Sequence, residues 1–170
     1  RKGWTFVPSR PLSCSRLFPP FSVLSGRPLM TSSADDFAVK IPSETSHGRQ
    51  VQERIMGLLE TRSYPDRDLF GVRLALEEAI VNAIKHGNGM DPSKEVRINC
   101  SFDDDRVTIV IEDEGPGFDV TSVPDPTSEE NLDKPGGRGI MLMRSFMSRV
   151  EYNDSGNRLL LEKVRGTEDE

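Results

Sequence analysis

Between residues 95 and 113 apolar and polar residues alternate twice over, as EVRINCSF and then RVTIVIED, with only Asp103-Asp104-Asp105 between the two runs. A period of two sends alternate side chains to opposite faces. Two such runs joined by a short acidic turn read as an antiparallel hairpin. One face of that hairpin, carrying Val96, Ile98, Cys100 and Phe102, must be covered by something else in the chain. The cover is legible on the N-terminal side. Val51, Ile55, Leu58 and Leu59 share one face of a helix expected over about 46–61. Leu69, Val72, Leu76, Ala79, Ile80 and Ala83 define a second helix that runs to about His86, where Gly87 and Gly89 stop it. A short strand, DFAVKIP, precedes both and is broken by Pro42 and Ser43. After residue 137, RGIMLMRSFMSRV resumes helical spacing through Ile140, Leu142, Met143 and Phe146. VEYND and NRLLLEKV then close the chain as a hairpin around Asp154-Ser155-Gly156. Helices kept apart from an antiparallel-rich sheet give an α+β, two-layer α/β sandwich, its mixed but mostly antiparallel sheet covered by helices on one face.

Composition sets the outer limits. A chain of 170 residues with 35% hydrophobic content holds one ordinary domain with a core and not two. Residues 1–29 contain five basic residues, no acid and five prolines without sustained period, so they are expected to be a disordered or non-native extension, with residues 30–170 as the domain. Against that basic start, residues 30–170 carry 17 basic and 28 acidic residues. Such an acidic body lacks the clustered Lys and Arg that phosphate backbones require, which argues against direct nucleic-acid binding and for a protein partner. No run of about 18 apolar residues exists to span a bilayer. The two cysteines, Cys14 and Cys100, form neither a disulfide framework nor a zinc pattern, so a reducing cytoplasm is the expected location.

Three stretches carry polar chemistry that the fold does not require. In LEEAIVNAIKHGN, residues 76–88, Glu78 and Asn82 lie one helical turn apart beside the apolar stripe, and Lys85 and His86 follow. An Asn amide oxygen there can ligate Mg²⁺, a carboxylate can orient or deprotonate a hydroxyl, and a lysine can neutralise phosphate, although a solvated helix face has the same composition. In EDEGPGFD, residues 112–119, Asp113 ends an apolar strand and is followed by Gly115 and Gly117. The acid can accept a hydrogen bond from an exocyclic amine such as that of adenine, while the glycines let main chain pass close to a base. The same pattern also makes a plain tight turn. In KPGGRGIML, residues 134–142, Gly136, Gly137 and Gly139 stand directly before a helix, whose free N–H groups attract phosphate, or else they form a flexible helix entry. Residues 114–137 between the second and third stretches read as a long loop suited to a lid. No Walker A sequence and no H-R-D or D-F-G motif of ordinary protein kinases occurs.

Taken in order, EEAIVNAIKHGN, DEGPG and GGRGI resemble the N-box and the two glycine boxes of the Bergerat-fold ATPases, the gyrase, histidine kinase and MutL-type superfamily, over roughly residues 36–165. Within it, the short chain, the IPSETSHGRQVQERI opening and LEEAIVNAIKHG look most like the anti-sigma factor serine-protein kinases. The resemblance implies an ATP-dependent serine kinase that phosphorylates a STAS-type anti-anti-sigma protein and sequesters a sigma factor by partner switching. It further implies a homodimer, for which the first helix and the 36–42 strand are the candidate surface. By the same resemblance Asn82 holds Mg²⁺, Glu78 is the base toward the partner serine, Lys85 touches phosphates and His86 lies beside the ribose or base. Asp113 reads the adenine amine, and Gly115, Gly117, Gly137 and Gly139 line the pocket and lid hinge, with Arg138 reaching a phosphate. Where the family often has a Thr in a G-x-T-like turn, this chain has Asn157 and Arg158. Two rival readings remain: a non-catalytic nucleotide-binding module that works by sequestration alone, and a histidine kinase using His47, which lacks the preceding two-helix unit such kinases need.

Overall fold

The computed structural model describes residues 35–119, 122 and 137–166. The expected N-terminal extension, residues 1–29, and residues 120, 121 and 123–136 of the expected lid lie outside the described residues. Five strands and three α-helices occupy the rest: β1 (Phe37–Pro42), α1 (Thr45–Thr61), α2 (Asp66–Val81), β2 (Glu95–Phe102), β3 (Arg106–Asp113), α3 (Arg138–Phe146), β4 (Arg149–Tyr152) and β5 (Arg158–Val164). The strands form one sheet in the order β1-β2-β3-β5-β4, antiparallel at every pairing. β4 follows β3 in the chain yet lies at the edge, so β5 turns back to fill the place beside β3.

The alternation that made the strands legible also decides which face is buried. One cross-sheet row runs Val39, Ile98, Ile111, Leu159, Tyr152, and the next runs Phe37, Cys100, Ile109, Leu161, Val150. These rows face the helices, meeting Val51, Ile55 and Leu59 of α1 and Val72, Leu76 and Ile80 of α2 in one continuous core. Each of those buried aliphatic side chains contributes about 1.5–3 kcal/mol. Cys100 is buried in this layer, as its place in the alternation requires, and burial pushes its thiol up to about 12. Gly48 of α1 lets the two long helices approach closely, because a side chain there would run into Ile80 and Ile84.

The row nearest the end of β3 is Ile41, Val96, Asp113. Asp113 therefore occupies a core-facing position at the rim, where two other strands place aliphatic residues. The fold differs from the sequence expectation at the end of the second helix. α2 stops at Val81, and Asn82–Gly87 form a π-helical turn in which Asn88 N–H donates to Ala83 O at 2.8 Å. Such wide turns occur mostly as single insertions and often at functional sites.

Candidate functional site

α2 aims its polar ridge at the start of α3. Asn82 Nδ2 donates to Glu78 Oε1 at 3.0 Å, so the pair is already joined one turn apart. Above it, Gly139 packs so tightly on the Glu78 carboxylate that a β-carbon there would overlap it. Gly137 takes the N-cap of α3 with φ 82°, a left-handed conformation that a glycine accepts freely. The positive end of α3 thus lies over a carboxylate, a favourable arrangement for the helix dipole. Glu77, the neighbouring acid, is exposed, consistent with the rotation of about 100° per residue. Glu78 alone of the two meets α3.

The second half of the site is built around Asp113. Its Oδ1 accepts from Gly115 N at 2.9 Å, its backbone N–H donates to Asn157 O at 3.0 Å, and Asn157 Nδ2 donates to Asp113 O at 3.4 Å. The carboxylate lies against Gly87 where a side chain would collide with it, and Gly115 lies in the same way against the carbonyl of Gly87. Burial raises the Asp113 pKa above the ordinary carboxylate value, with the Gly115 N–H opposing. No hydrogen bond among the described residues engages Oδ2. Gly117, at φ 74°, packs on the Ser155 carbonyl, and Gly156 packs on Phe118, so the glycine stretch is fastened to the β4–β5 turn at the point where the loop departs.

The structure brings Glu78, Asn82, Gly137 and Gly139 together at one end, with Arg138 opening α3, and Asp113, Gly115 and Gly117 together at the other. Tyr152, at the sheet edge, was not legible as a site residue and stands between the two halves. Burial first, then the Glu78 carboxylate, push its phenol up to about 12; Arg144 opposes this and Asp113 adds to it. Its ring meets Phe118 edge-on at 5.2 Å. The sequence placed Tyr152 only within the strand segment VEYND, and the structure sets it opposite Leu159. Asn157, read as a departure from the usual Thr, proves to be a backbone partner of Asp113. The side chains of Lys85 and His86 make no hydrogen bond or ion pair with either half among the described residues. Both are exposed on the π turn that follows Val81.

The donor set fits a magnesium nucleotide. Asn82 gives its Nδ2 to Glu78 and keeps Oδ1, a hard oxygen, for a cation. No group of three His, Cys, Asp or Glu forms a ready-made metal cage among the described residues. Mg²⁺ takes one or two protein ligands and completes its shell with phosphate oxygens and waters. His47, the rival phosphoacceptor, sits in the first turn of α1 with Nδ1 3.3 Å from Glu44 Oε2.

A sheet covered on one face by helices, with an Asn-bearing helix end facing an Asp-Gly strand end, defines a nucleotide-binding α+β domain. Residues 41–163 match the family model described as the histidine kinase-like ATPase domain, and the chain belongs to that family. The serine-protein kinase RsbW of Bacillus licheniformis is 26% identical over 146 residues, covering 82% of this chain and 91% of that protein. The RsbW of Staphylococcus epidermidis is 29% identical over 136 residues, covering 75% and 85%. The anti-sigma F factor of Clostridium perfringens is 33% identical over 106 residues, covering 59% and 75%. Among the described residues no helix is long and apolar enough to cross a membrane.

Proposed function

We propose that this chain is an ATP-dependent serine-protein kinase and anti-sigma regulator, which phosphorylates a serine on a STAS-type anti-anti-sigma protein and sequesters a sigma factor by partner switching. The observation that carries the reading is the Glu78–Asn82 pair, hydrogen-bonded beneath Gly139 at the start of α3, on a helix whose π turn ends with Gly87 against the Asp113 carboxylate. The names of the relatives, serine-protein kinase and anti-sigma factor, support it at the level of the family.

In this reading Asp113 accepts the amine of adenine on Oδ2 while Gly115 N–H holds its other oxygen. Gly115 and Gly117 give the base room, and His86 borders it. Gly137, Arg138 and Gly139 cradle phosphates at the α3 N-terminus, and Lys85 reaches them from the π turn. Asn82 Oδ1 would hold Mg²⁺, which would supply neutralisation of charge on the transferring phosphoryl group. Glu78 takes the proton from the partner's serine hydroxyl as its oxygen bonds the γ-phosphorus and the bond to the ADP oxygen breaks. The products are phosphoserine and ADP, and Glu78 returns its proton to water. Residues 30–170 form the working domain, residues 1–29 an extension, and a cytoplasmic homodimer pairing through α1 and β1 presents the sigma-binding face.

Transfer of labelled phosphate from ATP to a purified cognate STAS protein tests the chemistry. Glu78→Gln is expected to lower transfer by about 10²–10⁴-fold, the range for a general base, while leaving ATP affinity nearly unchanged. Undiminished transfer would reassign the base. A wild type that binds ATP and sequesters a sigma factor without transferring phosphate would leave the sequestration module as the function.

A further inference from the structure

Asn88 follows the π turn and is among the most buried polar residues described, at 2% exposure. Its side chain meets three segments far apart in sequence. Nδ2 donates to Ser43 Oγ at 2.8 Å and to Glu95 O at 3.0 Å, and Oδ1 accepts from Glu114 N at 2.8 Å. The orientation of the amide is fixed by these neighbours: turned over, its NH₂ would face the Glu114 N–H and its oxygen the Glu95 carbonyl. Ser43 in turn donates to Lys94 O at 2.9 Å. One buried amide thus ties the end of the π turn to the β1–α1 turn, the start of β2 and the residue immediately after Asp113.

That last bond decides what Asn88 is for. Asp113 and Glu114 are consecutive, and Gly87 and Asn88 are consecutive. The Gly87 backbone already touches both the Asp113 carboxylate and Gly115. Contact alone would let the strand end slide over the helix end, because dispersion forces have little direction. A hydrogen bond from the Glu114 N–H to a side chain that is itself held twice removes that freedom. We infer that Asn88 is a positioning residue for base recognition, clamping the Asp113–Gly115 turn against the π turn so that the Asp113 carboxylate is set for adenine before nucleotide arrives. The inference rests on the ATP reading above and adds the residue that makes it selective. A base carrying a carbonyl where adenine has its amine offers the carboxylate an acceptor instead of a donor, and only a carboxylate that cannot retreat rejects it.

The test compares dissociation constants for Mg-ATP and Mg-GTP by calorimetry on the full chain, in wild type, Asn88→Ala, Asn88→Asp and Ser43→Ala. The wild type should prefer ATP. Asn88→Ala should lower that preference by about tenfold, the size of one hydrogen bond involving a charged site. Asn88→Asp keeps an acceptor for Glu114 N and should retain more of the preference than Asn88→Ala. Ser43→Ala removes one of the two holds on the Asn88 amide but leaves Oδ1 on the Glu114 N–H, so it should lower the ratio by less than Asn88→Ala does. A folded Asn88→Ala with unchanged preference, or a Ser43→Ala that loses as much, would overturn the inference while leaving ATP binding intact. Absence of ATP binding in the wild type would overturn both. Amide hydrogen exchange on the wild type gives a second reading independent of any variant's folding. The Glu114 N–H should be as protected as the β3 core without nucleotide; exchange at a loop's rate, slowed only by ATP, would mean that the turn is not preset.

Discussion

Asp113 is an acid at a position where the alternation of β3 calls for an apolar residue, in line with Ile41 and Val96 on the helix side of the sheet. Its burial disfavours the charged form, and its pKa is raised above 3.8 for that reason first. The consequence for stability has a definite sign. A carboxyl with a folded pKa above its unfolded value weakens the fold when ionised in both states, and the penalty disappears as pH falls through the folded value. Asp113→Asn, which keeps an oxygen for Gly115 N–H, should therefore raise the melting temperature of the nucleotide-free protein at neutral pH. The gain should shrink toward zero as the pH is taken down into the ordinary carboxylate range. In the proposed reading the same variant loses its preference for adenine, so a gain in melting temperature would be accompanied by a loss of ATP affinity. Thermal melts from neutral to acid pH, with calorimetry at neutral pH, check both parts. A wild type that melts higher than Asp113→Asn at neutral pH would show that the carboxylate is better satisfied than its burial implies.

Among the elements, α3 has the most direct connection to the candidate chemistry, because a β-carbon at Gly139 would fall on the Glu78 carboxylate. A methyl at residue 139 must displace the carboxylate, the far end of a flexible side chain, rather than any backbone. Gly139→Ala should accordingly stay within about 0.5 kcal/mol of wild-type stability, as surface substitutions do. Phosphate transfer should nonetheless fall by about 10²-fold, since a displacement of about 1 Å in a reacting group has that effect. Stability by denaturant and transfer by label, measured on one preparation, separate the two; equal transfer would mean that Glu78 has an alternative rotamer competent for the reaction. The elements themselves were largely legible, because strict alternation in β2 and β3 and three-and-four spacing in α1 and α2 report the buried face directly. The three polar stretches stood out for the converse reason, as polar residues where the periodicity calls for apolar ones or none, and the structure places Glu78 and Asn82 against Gly139 and Asp113 against Gly87. The π turn was not. Asn82–Gly87 has the composition of an ordinary helix end, and the bonds of Asn88 to Ser43, Glu95 and Glu114 that follow the turn join segments brought together only by the fold. Tyr152 escaped for the same reason, since its place between Glu78 and Asp113 depends on β4 lying at the edge beyond β5.

Over the whole domain, α2 joins two regions with different tasks. Its C-terminal end leads to Asn82 and the candidate site, while its N-terminal end is fixed by a buried ion pair. Asp68 Oδ1 lies 2.8 Å from Lys163 Nζ, and Asp68 Oδ2 accepts from Gly166 N at 2.7 Å. Lys163 also donates to Phe146 O at 3.0 Å, at the last residue of α3. One carboxylate therefore links the start of α2, the end of α3 and the end of β5, and with 7% of its side chain exposed it does so out of water. Removing a single partner of a buried pair leaves the other charge uncompensated, which costs about 3–5 kcal/mol. Asp68→Ala should lower the melting temperature by about 10 °C on that basis. Asp68 stands more than three helical turns of α2 from Asn82, and the Glu78–Asn82 and Asn88–Glu114 bonds involve none of its partners. Mg-ATP affinity, measured well below the variant's melting point, should therefore match wild type. A variant that keeps its stability would mean that Lys163 finds a new acceptor. One that folds but binds ATP poorly would mean that α2 transmits a shift from one end to the other, so that the fold's anchor and the candidate site are a single unit.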